Sequence, residues 1–154
     1  MNLSGDITVR APRQAVFDAV RDARFFASCI DGVRDLVEQD ATHYSARFET
    51  KLAYMTFRFD IAVAVTRVEP PACIEAKLEG TPLGVVGRLA ATSTTTLTEA
   101  GDDTTIHYAI EVALTGKLGS LGRPVLTARA KDMERQFTER LRAAFAPGAA
   151  RVTA

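Results

Sequence analysis

The sequence predicts an α+β fold: a curled seven-stranded antiparallel sheet wrapped around one long C-terminal helix, with two short helices between strands 1 and 2. Three observations predict it. Apolar and polar residues alternate with period two through most of residues 33–116, the pattern of half-buried strands joined by hairpins. The last segment repeats apolar residues at Leu126, Ala130, Met133, Phe137, Leu141 and Phe145, which is a helix stripe. The strand patterns are also long. A run from Tyr54 to Glu69 would extend roughly 50 Å at about 3.3 Å per residue. A sheet of such strands must curl, and its concave face needs a cover.

Each element follows from its own stretch. Leu3, Ile7 and Val9 between polar neighbours read as a first strand ending at Ala11. Pro12 suits the first turn of a helix, where its missing N–H costs nothing; Ala15, Val16, Ala19 and Val20 then share one face. "ARFFASCI" continues as a second short helix, and Asp31-Gly32 signals a turn. "VRDLVEQD" is the second strand. In "THYSARFETKL", Tyr44, Ala46 and Phe48 face away from His43, Arg47 and Glu49. In "YMTFRFDIAVAVTRVE", Met55, Phe57, Phe59, Ile61, Val63 and Val65 alternate with polar or small residues until Pro70-Pro71. "CIEAKLEG" and "GRLAATSTTTLTEA" flank a loop at residues 81–84. Gly101-Asp102-Asp103 then turns the chain into "TTIHYAIEVALTG", with Ile106, Tyr108, Ile110, Val112 and Leu114 on one face. A closing helix of about 22 residues would span roughly 33 Å. Residues 1–146 are expected to form a single domain, and 147–154 a short frayed tail.

Composition narrows the function. The chain has 154 residues, 47% hydrophobic and 25% charged, enough apolar material for a sizeable core. Lys+Arg and Asp+Glu both number 19, so no global field draws it to nucleic acid. Its basic residues are not interleaved with exposed aromatics either. Charge is uneven locally: residues 115–146 hold seven cations and three anions. The last helix therefore presents a basic face at Arg129, Arg135 and Arg142, either a plain solvated surface or one that meets a partner or an anionic membrane. No apolar run approaches the roughly 18–20 residues of an integral membrane span. The polar start lacks the apolar core of a signal peptide. Cys29 and Cys73 have neither metal-ligand spacing nor the look of a disulfide framework. A cytoplasmic location is expected, with the inner face of the membrane as a candidate place of work.

Gly116, Gly119 and Gly122 crowd the junction between the last strand and the last helix. Their spacing is neither that of a Walker loop nor that of a dinucleotide loop, and the sheet is antiparallel. A strand-to-helix hinge explains more, because the chain must turn back across the concave face and glycine tolerates positive φ. Leu118 and Leu121 would point toward the sheet mouth.

Chemistry-bearing groups do not assemble into a nucleophile, base and orienter, so no catalytic residue is assigned. His43 and His107 lie on the polar side of their strands, and no His-x-x-x-His or Cys-x-x-Cys suggests a metal site. Ser93 and Ser120 lack a nucleophile elbow, and Cys29 and Cys73 lack a local histidine partner. Asp102 and Asp103 read as turn residues.

The stretch "LTGKLGSLGRPVLTARAKDMERQF" resembles the Gly-Lys-Leu-Ala-x-Leu-Gly run that opens the last helix in the CoxG family of carbon monoxide dehydrogenase subunits. "ITVRAPRQAVFDAVRD" is similar to that family's strand-then-helix opening, and "VEPPACIEAKLEG" and "GDDTTIHYAIEVALTG" to its later strands. "IDGV" stands where the family usually has Ile-Pro-Gly-x, so Asp31 replaces a proline. The wider likeness is to the START-like (SRPBCC) superfamily, whose helix-grip fold encloses a ligand cavity between sheet and last helix. The resemblance implies an accessory protein of molybdenum hydroxylases that carries a lipophilic quinone or recruits the enzyme to the membrane.

On pattern alone the concave residues make either a solid core or an open pocket; the resemblance favours the pocket. Its expected lining is Tyr44, Phe48, Phe57, Phe59, Leu78, Leu89, Ala91, Tyr108, Ile110, Leu118, Leu121, Leu126, Met133 and Phe137, with Gly116, Gly119 and Gly122 as hinge or gate. Small residues at Ala91, Ser93 and Thr95 would leave room, and the tyrosine hydroxyls would anchor an otherwise apolar ligand. The expected function is non-enzymatic carriage of a quinone or other lipid-like molecule, with no covalently bound cofactor, beside a molybdenum hydroxylase partner and with peripheral membrane contact. The alternative is a START-like cyclase or hydrolase acting on a lipophilic substrate, with Tyr44 or Tyr108 as acid.

Overall fold

A computed structural model describes residues 1–52 and 54–146. The tail expected at 147–154 lies outside the described residues. The element order is β1 (Asn2–Val9), α1 (Arg13–Arg21), α2 (Ala23–Ser28), β2 (Val33–Glu38), β3 (His43–Leu52), β4 (Met55–Glu69), β5 (Cys73–Pro82), β6 (Gly87–Ala100), β7 (Asp103–Gly116), a 3-10 turn (Lys117–Leu121) and α3 (Arg123–Ala144). The seven strands form one antiparallel sheet in the order β1-β7-β6-β5-β4-β3-β2. Strands β2 to β7 are sequential hairpins. β1 lies at the edge opposite β2, so α1 and α2 carry the chain from one edge to the other.

Local chemistry accounts for the breaks. Pro12 immediately precedes α1, and the Asp22 carboxylate accepts from the backbone N–H groups of Arg24 and Phe25, capping α2. β4 and β5 shift register between Val65 and Arg67, a bulge that ends the simple alternation and turns Val68 inward to the core. β2 is interrupted between Arg34 and Val37, where Asp35 takes a positive φ of 56°.

Two apolar clusters lie on the concave face, at opposite ends. The first joins Ile7 and Val9 of β1, Ala11 just before α1, Val16 and Phe17 of α1, Leu97 of β6, Ile106 of β7 and Leu141 of α3. Thr104 is fully buried beside it and donates its hydroxyl to the Ala11 carbonyl at 2.8 Å. The second is smaller: Leu52, Phe57, Phe59 and Leu118, with half-buried neighbours such as Phe48, Leu89 and Leu126. α3 spans both with one stripe. Leu126 packs at one end, and Phe137, Leu141 and Phe145 at the other.

Polar ties fix the C-terminal half of α3. The Asp31 carboxylate accepts from Arg140 at 2.7 Å and from Gln136 at 2.6 Å, and the Asp31 N–H donates back to Gln136 Oε1. Arg142 donates to the Thr8 carbonyl at 3.0 Å. Asp31 is thus a clasp between the α2–β2 corner and the helix. Arg140 and Gln136 in turn hold its carboxyl below the usual carboxylate range.

Candidate functional site

The concave sheet and α3 leave an apolar cavity of about 130 Å³ beside the second cluster. Phe48, Thr50 and Leu52 of β3 and Phe59 of β4 make one wall. Leu89 of β6 and Val112 and Leu114 of β7 continue it, and Met1 and Leu3 enter from the β1 edge. Leu118 closes one end, while Leu126, Arg129, Ala130 and Met133 of α3 form the roof. These α3 positions are successive turns of one stripe, as helix spacing requires. The rings of Phe48 and Phe59 lie 6.3 Å apart with planes inclined by 27°, and those of Phe57 and Phe59 lie 6.3 Å apart with planes inclined by 29°. Ala130 is what keeps the roof high: a large side chain there would fill the space.

One polar tie crosses the cavity. Arg129 Nε donates to the buried Thr50 hydroxyl at 2.8 Å, joining α3 to β3. The remaining guanidinium N–H groups are left for water or a ligand oxygen, and the arginine stem serves as apolar wall.

Six of the residues expected to line a pocket do line this cavity: Phe48, Phe59, Leu89, Leu118, Leu126 and Met133. Phe57 and Leu121 pack in the neighbouring cluster, and Phe137 packs against the first one. Tyr44, Leu78, Ala91 and Ile110 are half-buried on the concave face and line neither this cavity nor either cluster. They form a strip between the two packed ends. Sequence reasoning passed over Met1, Leu3, Thr50, Leu52, Val112, Leu114, Arg129 and Ala130. For Val112 and Leu114 the signal was present, since they share the inward parity of Ile110. Met55, placed on that parity too, is 38% exposed at the sheet's end.

Tyr108 is half-buried, packed against the first cluster and away from the cavity. Its hydroxyl donates to Glu134 of α3, and Gly5, its partner on β1, leaves the room: a Cβ there would stand 2.8 Å from the hydroxyl. Burial first, and then the Glu134 hydrogen bond, push the Tyr108 hydroxyl well above its ordinary pKa. Burial also raises Tyr44, with the Glu38 charge adding to it. Both hydroxyls are therefore poorer acids than free tyrosine. His107 meets Asp6 at 2.7 Å and His43 meets Asp40 at 3.0 Å, both exposed on the outer face. Among the described residues no cluster of three or more His, Cys, Asp or Glu could hold a metal ion.

The glycine junction divides its work. Gly116 has φ 65°, and a Cβ there would lie 2.5 Å from the Val86 carbonyl oxygen. Gly122 has φ 90° at the start of α3. Both conformations favour glycine. Gly119 has no positive φ and sits inside the 3-10 turn, where a Cβ would come 3.1 Å from the Leu114 carbonyl oxygen. The three arginines of the expected basic face are engaged: Arg129 with Thr50, Arg142 with Thr8, and Arg135 with Asp132 at 3.4 Å. A larger depression of about 430 Å³ lies at the far end of the sheet, lined by residues 10–13, Glu99 and 101–103. Its walls mix the charged side chains of Arg10, Arg13, Glu99, Asp102 and Asp103 with Ala11 and Pro12.

Residues 5–146 match the family model for CoxG, a carbon monoxide dehydrogenase subunit. The chain belongs to that family. Solved structures agree on the architecture of this CoxG-family chain. A conserved protein from Geobacillus kaustophilus is 22% identical with a TM-score of 0.84, covering 92% of this chain and 93% of its own. The Mll3558 protein from Rhizobium loti is 17% identical, TM-score 0.70, over 93% and 95% of the two chains. A START superfamily protein from Mycobacterium smegmatis is 13% identical, TM-score 0.67, over 92% and 94%. At these identities the likeness is one of fold, the START-like helix grip. No curated protein sequence matches this chain. No helix among the described residues is long and apolar enough to cross a membrane.

Proposed function

We propose that this CoxG-family protein carries a hydrophobic small molecule, quinone-like or lipid-like, between its sheet and α3. The cavity beside Phe48, Phe59 and Met133 carries this reading, because its walls are apolar and its polar groups are limited to Thr50 and Arg129. Such a lining discriminates against water-soluble substrates. Its size sets the mode of binding. About 150 Å³ of apolar cavity holds one benzene ring, so 130 Å³ takes a single ring or a short stretch of chain. A longer ligand lies along the half-buried strip at Leu78, Ala91 and Ile110, and α3 moves outward about Gly116 and Gly122 to admit it. Arg129 then offers its free N–H groups to a ring carbonyl or an acidic head.

The family name supports work beside a carbon monoxide dehydrogenase, and a molybdenum hydroxylase is the partner class this reading takes. A cytoplasmic setting is in keeping with free thiols at Cys29 and Cys73. The enzymatic alternative has less behind it, since Tyr44 and Tyr108 lie outside the cavity and are raised in pKa.

Titration with a series of quinones and a series of fatty acids of increasing tail length, read by calorimetry, tests the reading. Burying ten CH₂ groups contributes roughly 8 kcal/mol, against association costs of about 4 kcal/mol or more. Affinity should therefore strengthen with tail length. A length-independent heat, or none, would end the carrier account.

A further inference from the structure

The cavity between the sheet and α3 is one-sided in its polar chemistry. Among the side chains that line it, only Thr50 and Arg129 carry nitrogen or oxygen. No carboxylate, amide or imidazole stands with them. Thr50 is buried, and its oxygen already accepts from Arg129 Nε at 2.8 Å. The Thr50 O–H finds no acceptor among the described residues, and neither do the two Nη groups of Arg129. The pair therefore presents hydrogen-bond donors and one positive charge.

The acids that could neutralise Arg129 are committed elsewhere. On α3, Asp132 pairs with Arg135 at 3.4 Å and Glu134 accepts from the Tyr108 hydroxyl. Asp31, whose carboxyl the Arg129 charge also helps to hold low, is bonded to Arg140 and Gln136. On β3, Glu49 pairs with Arg58 at 2.9 Å. The stretch 114–128 that leads into this part of the helix has no Asp or Glu at all. A half-buried guanidinium beside hydrocarbon with no counter-ion is costly. As a mere tie between helix and strand, a well-packed apolar pair would serve as well. A charge kept there with its forked face unused fits an anion that arrives from outside.

We propose that Arg129, oriented by Thr50, selects an amphiphile with an oxyanion head, a carboxylate or a phosphate monoester, whose hydrocarbon fills the cavity. This rests on the carrier reading above and narrows it. A neutral carbonyl, as in a quinone or an ester, accepts a hydrogen bond but leaves the charge unanswered. A protonated amine adds a second cation. An oxyanion accepts from both Nη groups and balances the charge, and the Thr50 O–H stands beside the same fork as a further donor. Phe48, Leu52, Phe59 and Met133 then take the hydrocarbon.

Calorimetric titration of the full chain at neutral pH with decanoic acid, decyl phosphate, methyl decanoate and decylamine tests it. The four carry closely matched tails, so the head is what varies. At least one oxyanion should bind about tenfold or more tightly than the ester, a difference of about 1.4 kcal/mol, and the amine should bind most weakly. A preference for either oxyanion over the ester supports the proposal, and the better of the two tells a free acid from a phosphate head. R129M, which keeps an apolar stem, should close the gap between oxyanion and ester. R129K, a point charge without the fork, should leave part of it. Were Arg129 only a tie between α3 and β3, its loss would weaken both ligands alike and keep their ratio. Oxyanions and ester of equal affinity in the parent, or a gap that R129M leaves intact, would overturn the proposal. Equal affinities that still strengthen with tail length would overturn it while leaving the carrier reading standing. No binding by any of the four would end both.

Discussion

The two ends of the concave face use the same sheet and the same helix, yet one is sealed and the other is not. At the first cluster α1 inserts Val16 and Phe17, both fully buried, between β1, β6, β7 and the end of α3. At the second no helix intervenes. Phe57, Phe59 and Leu118 pack among themselves, and Ala130 faces them from α3 without reaching. The comparison teaches that the cavity arises from the absence of an inserted element and from one small residue on the helix stripe. Strand pattern has no part in it. It also separates tasks: one end holds the fold, the other is free to bind.

That separation can be broken from the stable side first. Phe17→Ala should cost about 3–5 kcal/mol and Leu141→Ala about 2–5 kcal/mol, read by urea denaturation. Less than about 1 kcal/mol at either would mean that the first cluster is not the main core. The next test fills each end with the same group. Ala11→Phe in the sealed cluster should destabilise by about 1–3 kcal/mol or more through overpacking. Ala130→Phe should change stability by less than about 1 kcal/mol while ligand affinity falls at least tenfold. Equal costs at the two sites would show that there is no usable space beside Ala130.

A smaller effect sharpens the middle of the sheet. The Tyr108 hydroxyl has its pKa raised in the fold, so the protonated form is favoured there. Its contribution is complete below the ordinary tyrosine value near 10 and is lost as pH rises beyond it. Tyr108→Phe should leave a shallower fall in stability above pH 10, measured by urea midpoints across that range. The smallest effect belongs to the Asp31 clasp, which is exposed. Its pKa is lowered, first by Arg140 and then by Gln136, so its contribution is present above about 3.8 and is lost as pH falls through the depressed value. Asp31→Asn should lower the melting temperature slightly at pH 7 and hardly at all in strong acid. A large loss at neutral pH would make the clasp as important as the sealed core.

Much of this architecture was legible in the sequence, and the reason is periodicity. Alternation from Tyr54 to Glu69 identified β4 within a residue, and the stripe from Leu126 to Phe145 identified α3. Alternation states which side a residue faces, but not what stands opposite. Tyr108 and Leu114 share a parity, yet one meets Glu134 and the other lines the cavity, because no strand pattern encodes which α3 residue stands opposite. Leu3 and Met1 line the cavity only because β1 pairs with β7 at the sheet edge, a long-range pairing. Arg129 was read as part of a basic surface; its bond to Thr50 turns it inward, and polar residues give no periodic warning of that.

The central claim is that the space beside Ala130 holds a hydrophobic molecule. Native mass spectrometry of the full chain after incubation with a total membrane-lipid extract tests it most directly. A discrete adduct at a quinone or lipid mass, absent from Ala130→Phe, is the predicted result. Bare chain in both samples, or an adduct that Ala130→Phe retains, would contradict it.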